Sequence, residues 1–350
     1  MRPTLRRLAV VVALCAAAAS RALASPWDDV WRSEAAARQM SVEGLARTRV
    51  LIMGDLKTAT AKVRAARGKV RYDYEAGRWR WTLVDDGKRL LGLDPQRRIA
   101  TAMPRPQFVV DRDLAERNYE ARPAGEARIA GRHTRVVEVA AKGRGPVVWR
   151  LWLDRQTQFA LKRERYNVEG RLISDTEYTQ AAYGARVPDS VFAVPEGWRL
   201  VDLNGGGRRL SLGELGRAAG FEVVHPGYLP PGYVFLGGYL QRRGPSGPET
   251  AELRYTDGLR VLSVSQRPHP ISGRGEGRAG DQRGRHRRGR AGPGRGRAGG
   301  PGLGPPPGEG VVVVDRGAEK VARLVGPRLG VVVVGDLPED ELVRVARSVE

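Results

Sequence analysis

The alternation of apolar and polar side chains between Val147 and Tyr183 constrains the fold more than any other feature of the sequence. Every second residue from Val147 to Leu153 is apolar, which is the period of a β-strand. A second apolar run begins at Phe159, and Gly170 lies in the turn before a third, Leu172 to Tyr178. Strands joined by such short loops are antiparallel neighbours. The sequence therefore predicts a meander within a curved sheet that has one apolar face.

The same period occurs earlier in the chain, where aromatic residues alternate with charged or polar ones. Tyr72 and Tyr74 occupy every second position of one predicted strand, and Trp79 and Trp81 occupy every second position of the next. This pattern is typical of a sheet with one solvent-exposed face and one apolar face. We expect the apolar face either to line a cavity for an apolar ligand or to close against a helix.

The segment that begins at Ser25 predicts such a helix. Ser25 can cap it, Pro26 suits its first turn, and Trp27, Val30 and Trp31 fall on one face. We expect this helix to lie against the concave face of the sheet, where core packing is the simpler role for its tryptophans and ligand contact is the alternative. The cavity candidates, taken from strand parity and from this helix, are Trp27, Trp31, Tyr72, Tyr74, Trp79, Trp81, Trp149 and Leu151.

Residues 1–24 have the composition of a signal peptide. They contain four arginines and no acid, an apolar core from Leu8 to Ala19, and the small residues Ala22 and Ala24 at the expected cleavage site. We therefore expect an exported protein, periplasmic where the host has an outer membrane and extracellular or cell-surface where it has none. No later segment has the length and apolarity of a membrane span. The formal net charge of +21 favours anionic partners.

The 350 residues are enough for two domains, and a glycine run near position 205 suggests where they divide. We predict a first domain at 25–203, a linker at 204–210 and a second domain at 211–350. The second domain should contain a helix near each end and strands between them, the first of them Phe221–Val224. Residues 271–310 are rich in Gly and Arg and predict a disordered insertion, unless they record a frameshifted stretch of the gene. In the first domain, Pro104–Gly125 is expected to be irregular.

The sequence contains no recognisable set of catalytic or metal-binding residues. It has no Gly-x-Ser-x-Gly and no His-Glu-x-x-His motif, and its four histidines are scattered. Asp85-Asp86 is better explained by a hairpin turn, and Asp111 and Asp113 by a solvated loop. We therefore predict no enzyme, no catalytic or metal site and no cofactor. The Gly-Arg tract could contact phosphates, but an exported protein rarely meets nucleic acid, so we do not expect that partner.

Two sets of residues, one in each predicted domain, resemble a known family. The first set resembles the N-terminal domain of the sigma-E factor regulatory family (MucB/RseB), which is itself similar to the lipoprotein carrier LolA and to LppX. The second set resembles the smaller C-terminal domain of the same family. The residues of the first set are Gly131–Val137, Arg150–Asp154, Leu161-Lys162, Tyr166-Asn167 and Pro188–Phe192, and those of the second are Leu229–Gly232, Tyr255–Leu259, Ser263-Val264, Val333–Pro338 and Ala346–Val349.

The resemblance implies both a fold and a function. The fold class is α+β, with a curved antiparallel half-barrel sheet over helices (LolA-like), followed by a smaller mixed α/β C-terminal domain. The implied function is regulatory: a periplasmic protein binds the outer part of a membrane anti-sigma factor, and a lipid or acylated ligand that signals envelope stress releases it. The alternative on the same fold is a lipid or lipoprotein carrier of LolA type.

Overall fold

The computed structural model describes residues 25–52, 54–105, 111–143, 145–202, 209–242, 249–268, 311–326 and 328–349. The predicted signal peptide at 1–24, most of the predicted linker at 204–210 and the predicted insertion at 271–310 lie outside these residues. Within the described helices, none has the length and apolarity needed to cross a membrane.

The first part of the described chain folds into a large sheet with two α-helices, α1 (Pro26–Gln39) and α2 (Arg112–Asn118). We call this part the first domain. A one-turn 3-10 helix at Asp189–Phe192 precedes the last strand of the sheet. Among the described residues the sheet has 12 strands. They are β1 (Val42–Ile52), β2 (Asp55–Ala66), β3 (Lys69–Ala76), β4 (Trp79–Asp85), β5 (Arg89–Asp94), β6 (Ile99–Pro104), β7 (Tyr119–Ile129), β8 (Arg132–Ala141), β9 (Val147–Asp154), β10 (Ala160–Tyr166), β11 (Leu172–Tyr183) and β12 (Arg199–Asp202).

The predicted meander is confirmed, because β9, β10 and β11 are consecutive antiparallel neighbours. The full strand order is β12-β6-β5-β4-β3-β2-β1-β11-β10-β9-β8-β7. Strands β1–β6 form one local meander and strands β7–β11 form another. The two are joined by the pairing of β1 with β11, in which Val42 lies opposite Tyr183. A parallel pairing of β12 with β6 completes the other edge.

Helix α1 begins as the sequence predicts. The hydroxyl of Ser25 accepts a hydrogen bond from Trp27 N, and the carboxylate of Asp28 accepts one from Ser25 N, which completes a capping box. Its apolar side packs on the concave face of the sheet, where Trp27 and Val30 are buried beside Trp149. The predicted placement of this helix is confirmed.

The prediction that Pro104–Gly125 is irregular is wrong for the part that the structure describes. Asp111, assigned above to a solvated loop, caps α2 by accepting a hydrogen bond from Leu114 N at 2.9 Å. The helix buries Leu114 and Ala115, and β7 follows it directly. Two apolar positions are too few to show a helical period in the sequence.

The second part of the described chain forms a separate sheet of six strands, all antiparallel, which we call the second domain. The strand order is β13-β14-β15-β18-β17-β16, and the predicted insertion falls between β15 and β16. The elements are α3 (Leu212–Ala219), β13 (Val234–Arg242), β14 (Glu249–Thr256), β15 (Val261–Pro268), β16 (Val312–Asp315), β17 (Lys320–Val325), β18 (Leu329–Gly335) and α4 (Glu339–Arg347).

The core of the second domain lies between this sheet and its two described helices. Leu215 of α3 and Leu342 of α4 are fully buried in it. The strand predicted at Phe221–Val224 is wrong. The side-chain amide of Gln266 donates to Val224 O at 2.6 Å and accepts from Val224 N at 3.1 Å, so it takes the place of a neighbouring strand. The predicted fold class, a half-barrel domain followed by a smaller mixed domain, is confirmed.

Candidate functional site

A cavity of about 1020 Å³ lies between α1 and the concave face of the first sheet. Strands β3 and β4 form one wall, and β10 and β11 form the opposite wall. Its aromatic lining consists of Trp31, Tyr72, Tyr74, Phe159 and Tyr178. A pocket of this size, lined by aromatic side chains with a few charged groups, is typical of a ligand site.

One wall carries a row of stacked aromatic rings. The rings of Tyr72 and Tyr74 lie 5.6 Å apart at an interplanar angle of 16°, and those of Tyr74 and Trp81 lie 5.0 Å apart at 13°. Burial raises the pKa of both tyrosines. Their phenols are therefore neutral at physiological pH, and the wall offers an uncharged surface with hydroxyl groups.

The opposite wall carries a second aromatic pair. Phe159 meets Tyr178 edge-to-face, with ring centroids 5.5 Å apart and planes at 73°. Burial raises the pKa of Tyr178 well above its ordinary value. Both rings are almost fully covered by the protein, so they form the floor of the cavity rather than its rim.

Charged side chains also line the cavity. Arg163 on β10 pairs with Glu34 on α1 at 3.2 Å. Arg105 after β6 pairs with Asp85 on β4 at 2.7 Å. The guanidinium of Arg112 lies 4.3 Å from the centre of the Trp31 ring. The cavity thus combines aromatic walls with arginines that can meet an anionic group.

The structure brings only some of the predicted cavity candidates together. Trp31, Tyr72 and Tyr74 line the cavity. Trp81 stacks on Tyr74 at the edge of this row and is 39% exposed. Trp79 continues the row to the hairpin tip and is 67% exposed, outside the cavity lining.

The remaining three candidates lie in the core behind α1. Trp27, Trp149 and Leu151 are buried in one cluster, where Trp27 stacks on Trp31 at 4.9 Å. Trp27 therefore packs in the core, which was the simpler of the two roles expected for it. Trp31 faces the cavity side instead, and its indole Nε1 donates to Glu116 of α2 at 2.7 Å.

Several lining residues were missed because their position depends on distant pairing. Tyr178 lies on the concave face, in β11, and β11 meets β1 across more than a hundred residues of sequence. Arg105 and Arg112 flank a segment that shows no periodicity in the sequence. The alternation of side chains within β10 and β11 was the one sequence signal for lining residues on these strands. It does not identify which face of the sheet is concave.

The convex face of the same sheet is mostly charged, with the rings of Trp152 and Tyr166 beside the charged groups. Arg150 on β9 contacts Glu138 on β8 at 2.5 Å and Glu164 on β10 at 3.5 Å, and Lys162 links Glu164 to Glu177 on β11. Burial alone would raise the pKa of Glu138, but the hydrogen bond from Arg150 outweighs it and leaves that pKa below its ordinary value. The convex face is therefore the polar face that the alternation of apolar and polar residues predicts.

Helix α2 joins the two domains. The side-chain amide of Asn118 donates to Asp257 O at 2.8 Å and to Gly232 O at 3.1 Å, while Asp111 N donates to Gly258 O at 3.2 Å. Gly258 has φ +104, and a Cβ there would lie 2.3 Å from Ala115 N. Only glycine fits this contact.

A buried polar cluster continues the junction. Tyr119 donates to Asp257 at 2.5 Å, and Arg260 donates to Tyr119 at 3.2 Å and to Asp336 at 3.0 Å. Val168 N, from the β10–β11 turn of the first domain, also donates to Asp336, at 3.0 Å. Burial raises the pKa of Asp336 despite these partners. The second domain is thus held to the first by specific hydrogen bonds rather than by a linker alone.

The fold and the cavity define a class of protein architecture, in which a half-barrel with a concave cavity is joined to a smaller sheet domain. Within the described part of the chain, no three or more His, Cys, Asp or Glu side chains are grouped to hold a metal ion.

Comparison with known proteins shows which family the chain resembles. The model of the MucB/RseB N-terminal domain matches residues 94–195, which confirms the resemblance to this family. The sigma factor AlgU regulatory protein MucB of Pseudomonas aeruginosa is 31% identical over 153 residues, which is 43% of this chain and 44% of that protein. The alignment thus spans less than half of that relative.

Solved structures extend the likeness across both domains. A chain in the structure of the Pseudomonas aeruginosa MucA/MucB complex matches 92% of this chain over 96% of its own length, with a TM-score of 0.58 and 22% identity. A structure of MucB with MucA(peri) matches 92% of this chain and 97% of that chain, with a TM-score of 0.57 and 22% identity. At these identities the likeness establishes the fold.

Proposed function

We propose that this chain is an exported, non-enzymatic regulator that binds the extracytoplasmic part of a membrane anti-sigma factor. The observation that carries this proposal is the 31% identity to the AlgU regulatory protein MucB. The similar structures support it, because in them MucB is in complex with MucA. The basic charge of the chain, +21 overall, favours an acidic partner segment.

We further propose that the concave cavity binds the lipid-type signal to which this regulator responds. The stacked rings of Tyr72 and Tyr74 offer an apolar wall for an acyl chain. Arg105 and Arg163 line the same cavity and supply positive charge for an acidic headgroup, although each also has a carboxylate partner. Aromatic walls with arginines suit an amphiphile better than a fully polar ligand.

The partner can be tested by capture from the native host. The tagged chain is expected to retain the membrane anti-sigma factor, and the captured amount should fall as salt is raised, because exposed opposite charges are screened. Capture that does not change with salt would remove the electrostatic part of the proposal. Failure to retain any anti-sigma factor would contradict the proposal itself.

The ligand can be tested with a charge placed in the aromatic wall. Tyr74→Asp is expected to lower the affinity for a fluorescent acyl probe by about tenfold or more, since an acyl chain would then meet a carboxylate in a desolvated wall. The matched control is Tyr239→Asp on β13 in the second domain, also half-buried, which should bind the probe as the unchanged chain does. Equal affinity of both variants, or no acyl chain extractable from the purified protein, would contradict a lipid site here.

A carrier of LolA type remains the second candidate, and the cavity is the observation that favours it. A carrier passes its lipid or lipoprotein from one membrane to another without binding an anti-sigma factor. Transfer of labelled lipoprotein between two vesicle populations, together with no capture of an anti-sigma factor, would favour the carrier. Genes for a sigma factor and a single-span anti-sigma factor beside this gene would favour the regulator.

A further inference from the structure

The turn between β3 and β4 exposes an unusual run of residues, Arg78, Trp79, Arg80 and Trp81. All four side chains are exposed, and Trp79 is 67% accessible to solvent. A Cβ added to Gly77, in the same turn, would meet no atom within 4 Å, so there is open space beside the turn. Two neighbouring tryptophans that the core does not cover leave apolar surface exposed to solvent. Exposed apolar surface of this kind is typical of a site that binds another molecule.

Strand parity divides these residues between two faces. Trp79 pairs with Ala76 and Trp81 pairs with Tyr74, so both indoles lie on the concave face. Arg80 alternates with them and points to the other face. Arg78 precedes the strand, and its guanidinium lies 5.6 Å from the centre of the Trp79 ring. Arg80 pairs with Glu75 at 3.3 Å, but both side chains are largely exposed, so the pair is weak and its charges stay available. The tip therefore carries aromatic and cationic side chains next to each other.

The neighbouring strand ends add more positive charge. The β5–β6 turn carries Arg97 and Arg98, both exposed, next to the beginning of β4. Arg199 on β12 is exposed beside Ile99, the first residue of β6. Together with Arg78 and Arg80, these side chains place five arginines at one end of the outer strands. The acidic residues of the same segments are Glu75, Asp94 and Glu196.

The chemistry of this surface matches the interface of a bilayer. Tryptophan partitions to the level of the lipid headgroups, where its ring is in an apolar layer and its N–H remains hydrogen-bonded. Arginine pairs with phosphate oxygens in two parallel hydrogen bonds. We propose that the β3–β4 tip, with the arginines beside it, docks this protein on an anionic phospholipid surface.

The residues of this docking surface lie outside the lining of the cavity. The second domain contacts the same end of the sheet over other strands: Gly317 lies against Leu51 and Gly54, and Asp336 contacts Val168. Docking through the tip would therefore also bring the second domain toward the membrane. The proposal can fail while the proposed function holds, because its test uses vesicles that contain no protein partner.

The first test is co-sedimentation of the purified chain with vesicles. We expect binding to vesicles that mix phosphatidylglycerol with phosphatidylcholine, little binding to pure phosphatidylcholine, and a loss of binding as salt is raised. Trp79→Ser should weaken the vesicle affinity by about tenfold or more, through lost apolar burial. Arg80→Glu should weaken it by about fivefold or more, because a charge is reversed at the surface.

Two matched controls separate docking from general effects. Val234→Ser removes an apolar side chain that is 44% exposed on β13. Arg155→Glu reverses a charge that is 57% exposed in the β9–β10 turn, at the opposite end of the sheet, and that pairs with Glu126 at 3.2 Å, much as Arg80 pairs with Glu75. Both controls should bind vesicles as the unchanged chain does, and all four variants should keep the thermal midpoint of the unchanged chain.

The second test locates the contact. Brominated lipids quench the fluorescence of tryptophans that enter the interface, so Trp79→Phe should keep the vesicle affinity and lose much of the quenching. Equal binding to neutral and anionic vesicles, or unchanged binding by Trp79→Ser, would overturn the proposal. If Trp79→Ser weakened only the binding of a protein partner, the tip would be a protein interface and the proposal would equally fail.

Discussion

At the scale of single residues, Asp73 shows how the convex face is held together. Its carboxylate accepts hydrogen bonds from Arg64 at 2.6 Å, Arg71 at 2.9 Å and Thr82 at 2.8 Å, and so joins β2, β3 and β4. Burial alone would raise its pKa, but these partners outweigh burial and leave the pKa below its ordinary value. A carboxyl with a lowered pKa in the folded state stabilises the fold above its unfolded pKa of about 4.

We predict that Asp73→Asn lowers the free energy of unfolding at pH 7 by about 1–2 kcal/mol, since charged hydrogen bonds are lost. The stabilising contribution of the charged Asp73 should disappear as the pH falls through its lowered folded-state pKa. The difference between variant and unchanged chain should therefore shrink from pH 7 to pH 3. Urea unfolding at the two pH values measures this, and a difference that grows toward pH 3 would contradict the assignment.

The sequence could predict which face of the sheet a site residue occupies, because side chains alternate between the two faces of a strand. The alternation of Tyr72 and Tyr74 with charged neighbours correctly places both on the concave face. Parity gives only the face and not the depth, so it could not separate Tyr74 in the cavity from Trp79 at the tip. Depth depends on which strand lies beside each residue and where that strand ends.

At the scale of elements, local hairpins were predictable and distant pairings were not. The turn that contains Gly170 fixes its two neighbouring strands, and β10 and β11 pair as expected. Nothing local indicates that β1 pairs with β11, because that contact depends on the closing of the whole sheet. Helix α2 escaped prediction for a related reason: it is stabilised by its cap and by the second domain rather than by a long apolar stripe.

The contact between α2 and the β14–β15 turn gives an element-scale prediction. A Cβ on Gly258 would lie 2.3 Å from Ala115 N, so Gly258→Ala must displace the helix or the turn. We expect the free energy of unfolding to fall by about 2–4 kcal/mol, from overpacking and from positive φ together. We also expect faster proteolytic cleavage between the two domains.

The control for this prediction is Gly131→Ala. Gly131 also has positive φ, at +74, but a Cβ there meets nothing within 4 Å. It should cost about 1 kcal/mol, from backbone strain alone, and leave the proteolysis rate unchanged. Equal stability and equal cleavage of the two variants would show that α2 does not depend on this close contact.

At the scale of the whole molecule, a hydrogen-bonded junction connects the two sheets. Arg260 contacts both Tyr119 of the first domain and Asp336 of the second, so this one cluster holds the two domains together. The sequence indicated the two domains through their separate resemblances. It could not indicate this cluster, because its members lie on different elements and meet only after docking.

The central claim is that the chain binds the extracytoplasmic segment of a membrane anti-sigma factor. The most direct measurement is a calorimetric titration of the purified chain with that segment, taken from the anti-sigma factor encoded nearest to this gene in the native host. We predict saturable binding, with a dissociation constant of about 10 µM or tighter and an affinity that falls as salt rises. No heat of binding and no complex at about 100 µM of each component, a concentration at which even weak specific pairs associate, would contradict the claim.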